Sequence, residues 1–243
     1  MRPQVLNKLF RPTSALKGVG PRIAKLIARL AGLKVIDVLW HLPRELINRQ
    51  VQPDAASAVA GEIATLTLKV IRHEPTRVKR QPYRVRCSDG LEEVTIIFFH
   101  AKEDYIRKIL PDGSLRVVSG TIDRFRGDTQ ITHPDYVLAP EDAKDLPLIE
   151  PVYPLTDGLT LKTFGKAVRA ALAEVPDLPE WQDKNFHDRQ RWPSWSKALQ
   201  AVHSPDGPNA LMSENPARAR LAYDELLANQ LALQIMREKM KQR

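Results

Sequence analysis

The segment of residues 16–26 combines glycines and cations in a pattern suited to binding phosphate. Gly18 and Gly20 let a backbone turn approach a phosphate closely, and Pro21 suits the first position of a helix. Amide N–H groups at such a helix N-terminus point outward toward an anion. The cations beside this turn are Lys17, Arg22 and Lys25. They predict contacts with phosphates rather than with bases. A helical hairpin that needs glycine only for its turn is the alternative interpretation.

Positive charge is a second feature that points to a polyanionic ligand. The chain has 37 Lys or Arg and 29 Asp or Glu, with a net charge of +8. Residues 1–50 hold ten of these cations and two of the acids, so this segment carries the whole excess. A second basic stretch, residues 72–86, lies around a predicted loop. Its candidate phosphate-binding residues are Arg77, Lys79, Arg80 and Arg84. A solvated basic surface without a ligand is the alternative.

Aromatic residues near the middle of the chain could stack on nucleobases. Phe98 and Phe99 end a predicted strand, and Tyr105 follows on a short predicted helix. Neighbouring side chains of a strand point to opposite faces, so at most one of the two phenylalanines is a core residue. An exposed ring could stack on a base, which is worth about 1–3 kcal/mol. The alternative is that these aromatic residues only fill the core.

Alternating apolar residues predict a small β-barrel that would position the loop and the aromatic residues. The order is three strands, one short helix and two strands, which is typical of an OB-fold, with SH3-like barrels as the competitor. OB-folds often grip nucleic acid with the loop between strands one and two. The predicted strands cover residues 63–71, 83–87, 93–99, 115–122 and 129–137, and the helix covers 102–110.

Helical periodicity on both sides of the barrel predicts an α+β fold. The predicted flanking helices cover residues 21–31, 160–174, 194–202 and 216–243, and residues 176–193 are predicted to be a polar connection. Three regions follow: residues 1–58 as an N-terminal helical hairpin region, 59–140 as the five-stranded OB-fold barrel, and 141–243 as a helical connector ending in a long helix.

No pattern in the sequence indicates catalysis, a metal site or a membrane span. Gly158 and Gly165-Lys166 have the wrong spacing for a phosphate loop, and Ala167 replaces the Ser or Thr that ligates Mg²⁺. The six histidines include no i, i+4 pair for zinc. The single cysteine, Cys87, excludes an internal disulfide and favours a reducing, cytoplasmic compartment. We expect no cofactor in this chain.

Five short stretches occur in an order that resembles the RecG family of ATP-dependent DNA helicases. They are residues 16–26 (LKGVGPRIAKL), 37–44 (DVLWHLPR), 133–136 (HPDY), 151–159 (PVYPLTDGL) and 217–227 (ARARLAYDELL). The first also resembles the helix-hairpin-helix motif. The resemblance implies an OB-fold wedge that holds the branch point of replication forks and Holliday-type junctions. It implies strand separation during fork regression and recombinational repair, driven by two motor domains that bind ATP and Mg²⁺.

The resemblance also implies roles for particular residues and partners. The motors would follow the final helix, so this chain would be a fragment without ATPase activity of its own. Family wedge aromatics stack on the terminal bases of the parting arms; Phe99 matches the first. Tyr105 is the second, although it lies six residues later, further than the family pattern leads us to expect.

The predicted partners are branched DNA and the acidic tail of a single-strand-binding protein. The protein would act as a monomer, with no membrane contact, in the nucleoid of a bacterial cytoplasm. The alternative functions are a stand-alone RNA-binding OB-fold protein and a module that binds single-strand-binding protein.

Overall fold

The computed structural model describes residues 3–49, 51–75, 81–125 and 127–241, and the chain forms two compact units. One unit, Ile47–Glu150, contains the barrel, and the other consists of Met1–Leu46 and Pro151–Arg243. The helical segments before and after the barrel share a single hydrophobic core. The three expected regions, residues 1–58, 59–140 and 141–243, remain a prediction.

The order of strands and helices through the barrel is the predicted one. The strands are β1 (Glu45–Asn48), β2 (Ile63–Glu74), β3 (Tyr83–Ser88), β4 (Glu93–Phe98), β5 (Leu115–Phe125), β6 (Asp128–Thr132), β7 (Tyr136–Leu138) and β8 (Ile149–Val152). The α-helices are α1 (Pro21–Leu30), α2 (Val35–Trp40), α3 (Glu103–Ile109), α4 (Leu161–Leu172), α5 (Lys184–Gln190), α6 (Trp195–His203) and α7 (Pro216–Lys241). The strand predicted over 129–137 is two strands, because His133 between them has a left-handed backbone with φ of 48°.

Strands β2 to β6 close into a five-stranded barrel, which confirms the predicted OB-fold and the α+β class. The first half of β2 pairs with β5, and its second half pairs with β3. Strand β3 continues the sheet to β4, and β5 pairs with β6. A parallel pairing of β4 with β6 closes the barrel. Alternate side chains therefore fill one interior, which includes Leu66, Leu68, Val85, Ile96 and Ile131 at 0% exposure.

The helical unit buries the apolar faces of its helices in the other core. Ile27 of α1 is fully buried, and the remaining apolar residues of that face pack against the same cluster. Thr160 caps α4 through an N–H bond from Thr163 to its hydroxyl at 3.2 Å. Helix α5 lies within the predicted polar connection of 176–193, and its start is capped by Asp183, which accepts from the Phe186 N–H.

A buried histidine links distant parts of this helical core. The Tyr153 hydroxyl lies 3.0 Å from His203 Nδ1, and His203 Nε2 lies 2.9 Å from the Leu39 carbonyl oxygen. Nε2 must donate to that carbonyl, so Nδ1 accepts from the tyrosine and the ring is neutral. Burial lowers the pKa of His203 to about 4, with His41 and Arg218 acting in the same direction.

The long final helix, α7, packs through its first turns only. Ala217, Arg220, Leu221 and Asp224 are buried. Beyond Leu221, several apolar residues of α7 are largely exposed in the described part of the chain. They include Leu226, Leu231, Ile235 and Met236.

Candidate nucleic-acid interface

One end of the barrel brings together Phe99 and the ends of the predicted basic loop. Tyr83, which opens β3, pairs with Phe98 at the end of β4. The loop that joins β2 to β3 therefore leaves the barrel beside the end of β4. Arg77, Lys79 and Arg80 of that loop lie outside the described residues. Phe99 follows directly after Phe98, so we call this end of the barrel the Phe99 rim.

Strand geometry separates the two phenylalanines at this rim. Phe98 is buried in the barrel at 6% exposure, whereas Phe99 is 43% exposed. Their side chains point in opposite directions because the strand alternates. His100, the next residue, has a positive φ of 59° and turns the chain away from the strand. The Phe99 ring is thus presented to solvent by the first residue after strand β4.

His133 is the ring that contacts Phe99. The backbone N–H of Phe99 donates to His133 Nε2 at 3.1 Å, and the two ring centroids lie 5.8 Å apart with an angle of 35°. The edge of the same imidazole meets Phe98 with centroids 6.1 Å apart. The parallel pairing of β4 with β6 produces this contact, because it places the end of β6 beside the end of β4. His133 itself is exposed.

The turn that carries His133 is held in place by contacts of the next three residues, Pro134, Asp135 and Tyr136. Pro134 packs over Gly120, where an added Cβ would lie 3.1 Å from Pro134 Cα and 2.7 Å from Ile131 Cγ2. Asp135 Oδ2 accepts from Arg49 Nη1 at 2.9 Å. The Arg49 guanidinium also lies 4.9 Å from the centre of the Tyr136 ring. These contacts tie both sides of the turn to the barrel.

Arg49 is the centre of this support and is 2% exposed. Besides Asp135, it donates to Glu150 Oε2 at 2.9 Å and to Ser119 Oγ at 3.2 Å. Burial, followed by the Glu150 charge, raises the pKa of Tyr136 above its usual value. The Arg49 guanidinium uses its N–H groups in the bonds to Asp135, Glu150 and Ser119, so it is not available to a ligand.

Tyr105, the second predicted stacking residue, lies on α3 and is 56% exposed. A base can reach Tyr105, but within the described residues the rings of Tyr105 and Phe99 are not in contact. Among the described residues, the ring that contacts Phe99 thus belongs to His133, the residue that follows β6. Tyr105 remains a prediction as a DNA contact.

The basic stretch of residues 72–86 contributes fewer free cations than its composition suggests. Arg72 and Arg86 both lie within 3.3 Å of Glu74 Oε1 and form ion pairs with it. Arg84 is exposed on β3, opposite Ile97 of β4. Among the described residues of this stretch, Arg84 is therefore the cation that best fits the predicted phosphate contact.

The glycine turn of the helical unit is open to a ligand. Gly18 has a φ of 82°, which favours glycine, and an added Cβ at Gly18 or Gly20 would meet nothing within 4 Å. Lys17, Arg22 and Lys25 are all exposed, with no salt bridge to another residue in the described ranges. A three-residue 3₁₀ helix, Thr13–Ala15, precedes the turn in place of a first α-helix. The resemblance of this segment to a helix-hairpin-helix motif remains a prediction.

Comparison with known proteins identifies the family of this barrel and its flanking helices. A family model described as the RecG wedge domain matches residues 13–175. The chain belongs to the RecG wedge domain family. It is 28% identical over 232 residues to an ATP-dependent DNA helicase RecG of Acidithiobacillus ferridurans, covering 93% of this chain and 32% of that protein. A RecG of Bacillus subtilis is also 28% identical, covering 92% of this chain and 32% of that protein.

A solved RecG structure has the same fold. The structure of RecG bound to a three-way DNA junction superposes with a TM-score of 0.77 and 26% identity, covering 95% of this chain and 32% of that chain. The chain thus spans about a third of the length of the RecG proteins that it matches. RecG relatives are named as ATP-dependent DNA helicases, and the chain aligns with their wedge region.

The described residues do not fit the ATP and Mg²⁺ sites expected of a RecG motor. Gly165 and Lys166 lie inside helix α4, so their backbone amides are committed to the helix and cannot cradle phosphates. Groups of three or more His, Cys, Asp or Glu that could hold a metal are likewise absent from the described ranges. In the same ranges, no helix combines the length and apolar character needed to cross a membrane.

Sequence reasoning about this RecG wedge missed His133, Asp135 and Arg49 as parts of one arrangement. Residues 133–136 (HPDY) are one of the stretches that resemble the RecG family, but the sequence alone indicated no role for them. Phe99 and His133 are 34 residues apart, and Arg49 and Asp135 are 86 apart. Only the register of the barrel brings them together, since the distances in sequence carry no such signal.

Proposed function

We propose that this chain is the wedge of a branched-DNA helicase and that the Phe99 rim stands at the branch point. The observation that carries the proposal is an aromatic ring, 43% exposed, at the end of a barrel strand. The ring lies beside the ends of the β2–β3 loop, and a parting base pair leaves base faces that need a stacking partner. The solved RecG with a three-way junction supports this use of the fold.

Stacking at the rim supplies a preference for branched DNA. Where two strands part, each base loses the stacking of the next base pair. An aromatic ring can replace that stacking, worth about 1–3 kcal/mol per base, and it does so for every base. The proposed wedge therefore selects a structure in the DNA and not a sequence.

Phosphate contacts supply affinity for DNA of any kind. We assign them to two surfaces: the glycine turn with Lys17, Arg22 and Lys25, and the β2–β3 loop with Arg84. Arg77, Lys79 and Arg80 would extend the second surface. Because such contacts release counterions, the affinity should fall steeply as salt concentration rises.

Strand separation in the whole enzyme would draw on ATP hydrolysis outside these residues. The resemblance to RecG implies motor domains that bind ATP and Mg²⁺, and the described residues of this chain offer no phosphate loop. The wedge contributes positioning: it holds the branch while the duplex arms are pulled past it. Fork regression and recombinational repair on the chromosome are the processes that this activity would serve.

Equilibrium binding of the 243-residue protein to a synthetic fork, a duplex and a single strand tests the proposal. Phe99→Ala should lower the preference for the fork by about fivefold or more, and duplex affinity should change less than about twofold. Phe125→Ala is the matched control, because Phe125 is also exposed, at 55%, but lies at the β5–β6 hairpin. Equal wild-type binding to all three DNAs, or an unchanged preference in Phe99→Ala, would contradict the wedge.

The basic loop has its own test. Changing Arg77, Lys79 and Arg80 together to Glu should weaken the binding of every DNA substrate to a similar degree.

Two further measurements concern the partners. An acidic peptide from a single-strand-binding protein tail should compete with DNA if it uses this loop. One protein molecule should bind each fork if the wedge acts as a monomer. Analytical ultracentrifugation of the complex measures that ratio.

A further inference from the structure

The HPDY stretch, residues 133–136, is a feature that the proposed function does not use. It forms the turn after β6 and the first residue of β7, and its own first residue, His133, contacts Phe99. Three of its residues are explained by packing: Pro134 over Gly120, Asp135 on Arg49, and Tyr136 against the same guanidinium. His133 differs from them, because its ring contacts Phe98 and Phe99 at the rim.

We infer that His133 is a second base-stacking residue of the wedge, forming one aromatic surface with Phe99. The inference rests on the proposed function, since it assigns a further DNA contact at the same rim. Its ligand is the nucleobase next to the one that stacks on Phe99. Histidine is among the side chains on which unpaired bases stack.

The position of the His133 ring is fixed before DNA arrives. The Phe99 N–H donates to His133 Nε2, so this nitrogen carries no proton in the bond, and the neutral ring holds its proton on Nδ1. The ring cannot rotate away without breaking that bond. Because the rings lie 5.8 Å apart at 35°, they present two neighbouring faces rather than a closed sandwich. A pre-positioned ring loses little conformational freedom when a base binds.

The backbone at His133 has an uncommon conformation of a kind that is frequent at ligand-binding sites. A φ of 48° is uncommon for a residue other than glycine, although asparagine, aspartate and histidine tolerate it. The buried Arg49 and its carboxylate partner Asp135 keep the turn in this conformation. Strained residues that surrounding structure holds in place cluster at ligand-binding sites.

The choice of His133 over Tyr105 follows from the rings in contact. Tyr105 is exposed on α3, but among the described residues it is the ring of His133 that contacts Phe99. Two aromatic faces in contact offer adjacent bases a continuous surface. A separate tyrosine offers an isolated one, so the geometry favours the histidine.

The test compares the same substitution at two histidines. His133→Asn removes the ring but keeps an acceptor and tolerance of a positive φ. His100→Asn is the matched control, because His100 is exposed, has a φ of 59° and adjoins Phe99. We expect His133→Asn to lower the preference for a fork over a duplex by about fivefold, both in the wild-type protein and in the Phe99→Ala background. His100→Asn should leave the preference unchanged.

A second measurement keeps the inference testable even if His133→Asn is poorly folded. In wild-type protein with ¹³C-labelled histidine, stacking of a base should shift the His133 Hε1 resonance upfield when a fork is added, and a duplex should not. The His100 resonance is the internal control. An unmoved His133 resonance would overturn the inference.

The outcomes of the binding test distinguish this inference from the proposed function. If Phe99→Ala keeps the fork preference, the proposed function fails first. If Phe99→Ala loses it but His133→Asn does not lower it in either background, the wedge stands and the histidine contact is wrong. The same holds if His133→Asn acts only when Phe99 is present, because the histidine would then only position Phe99. A loss with Tyr105→Ala but not with His133→Asn would also assign the second contact to the tyrosine.

Discussion

Phe98, the last residue of strand β4, and Phe99, the residue after it, point their side chains in opposite directions. One ring is 6% exposed and completes the barrel core, while the other is 43% exposed at the rim. The buried ring anchors the strand end, so the exposed ring sits on a rigid support. A wedge needs this combination, since a ring on a mobile loop would yield when two DNA arms press on it.

Arg22, in the first turn of α1, should contribute one phosphate contact to DNA binding. Arg22→Gln should weaken binding to a fork and a duplex alike, and lower the slope of log affinity against log salt by about one. Arg29→Gln is the control, because it removes the same charge from the last turn of that helix. The two variants are compared by fluorescence anisotropy titrations at several salt concentrations. Equal effects of the two variants would show that general charge, and not the glycine turn, is responsible.

Arg49 should be needed for the stability of the barrel. Its guanidinium is 2% exposed and pairs with Asp135 and Glu150. Arg49→Met should lower the free energy of unfolding by about 3 kcal/mol, since it leaves a largely buried carboxylate without its partner. Urea denaturation followed by circular dichroism measures the change.

Arg107→Met provides the comparison for Arg49. The Arg107–Glu103 pair on α3 is close to half exposed on both sides, so its loss should lower the free energy of unfolding much less than the loss of Arg49. If both variants lose the same free energy of unfolding, the buried ion pairs of Arg49 stabilise the protein no more than a surface ion pair does.

The buried His203 should make the helical unit sensitive to acid. Its folded pKa is about 4, below the unfolded value of 6.5, so the unfolded state takes up a proton first as the pH falls. Stability should be complete above about pH 6.5 and fall progressively toward pH 4, by roughly 1.4 kcal/mol per pH unit at most. Urea denaturation at pH 7, 6 and 5 measures this dependence.

Substitutions at two histidines identify the source of that dependence. His203→Gln should flatten the stability profile over the same range, although the variant is less stable at pH 7. His100→Gln, at an exposed site, should retain the wild-type profile. A wild-type slope in His203→Gln would assign the acid sensitivity to other groups.

Cys87 should be inert in the folded protein. The thiol is fully buried in the barrel, and burial raises its pKa to about 12, so almost no reactive thiolate is present at neutral pH. A thiol-reactive dye should label the native protein very slowly and the urea-unfolded protein within minutes. Equally fast labelling of the two forms would mean that the barrel opens readily in the native protein.

Much of the fold follows from local patterns in the sequence. The alternation of Ala64, Leu66, Leu68 and Val70 predicted β2, and all four are buried in the barrel. The Gly-Val-Gly-Pro turn predicted the start of α1 at Pro21. Such patterns work because the repeat of a strand or helix determines which residues reach the core.

Other features depend on contacts that no local pattern records. Helix α5 was missed because its residues are mostly polar, and only the Asp183 cap marks its start. Alternation allowed one of Phe98 and Phe99 to be exposed, but the register with β3 decides which one. The contact of His133 with Phe99 requires the parallel pairing of β4 and β6, which joins segments far apart in the sequence.

Photocrosslinking to the branch point tests the central claim most directly. A fork carrying 5-iododeoxyuridine at the branch nucleotide is bound to the unmodified 243-residue protein, irradiated, and the crosslinked peptide is identified by mass spectrometry. A fork with the same base in the middle of one arm is the control. We predict a crosslink to Phe99 from the branch nucleotide and none from the arm. Crosslinks that avoid the Phe99 rim, or that reach it equally from both positions, would contradict the wedge.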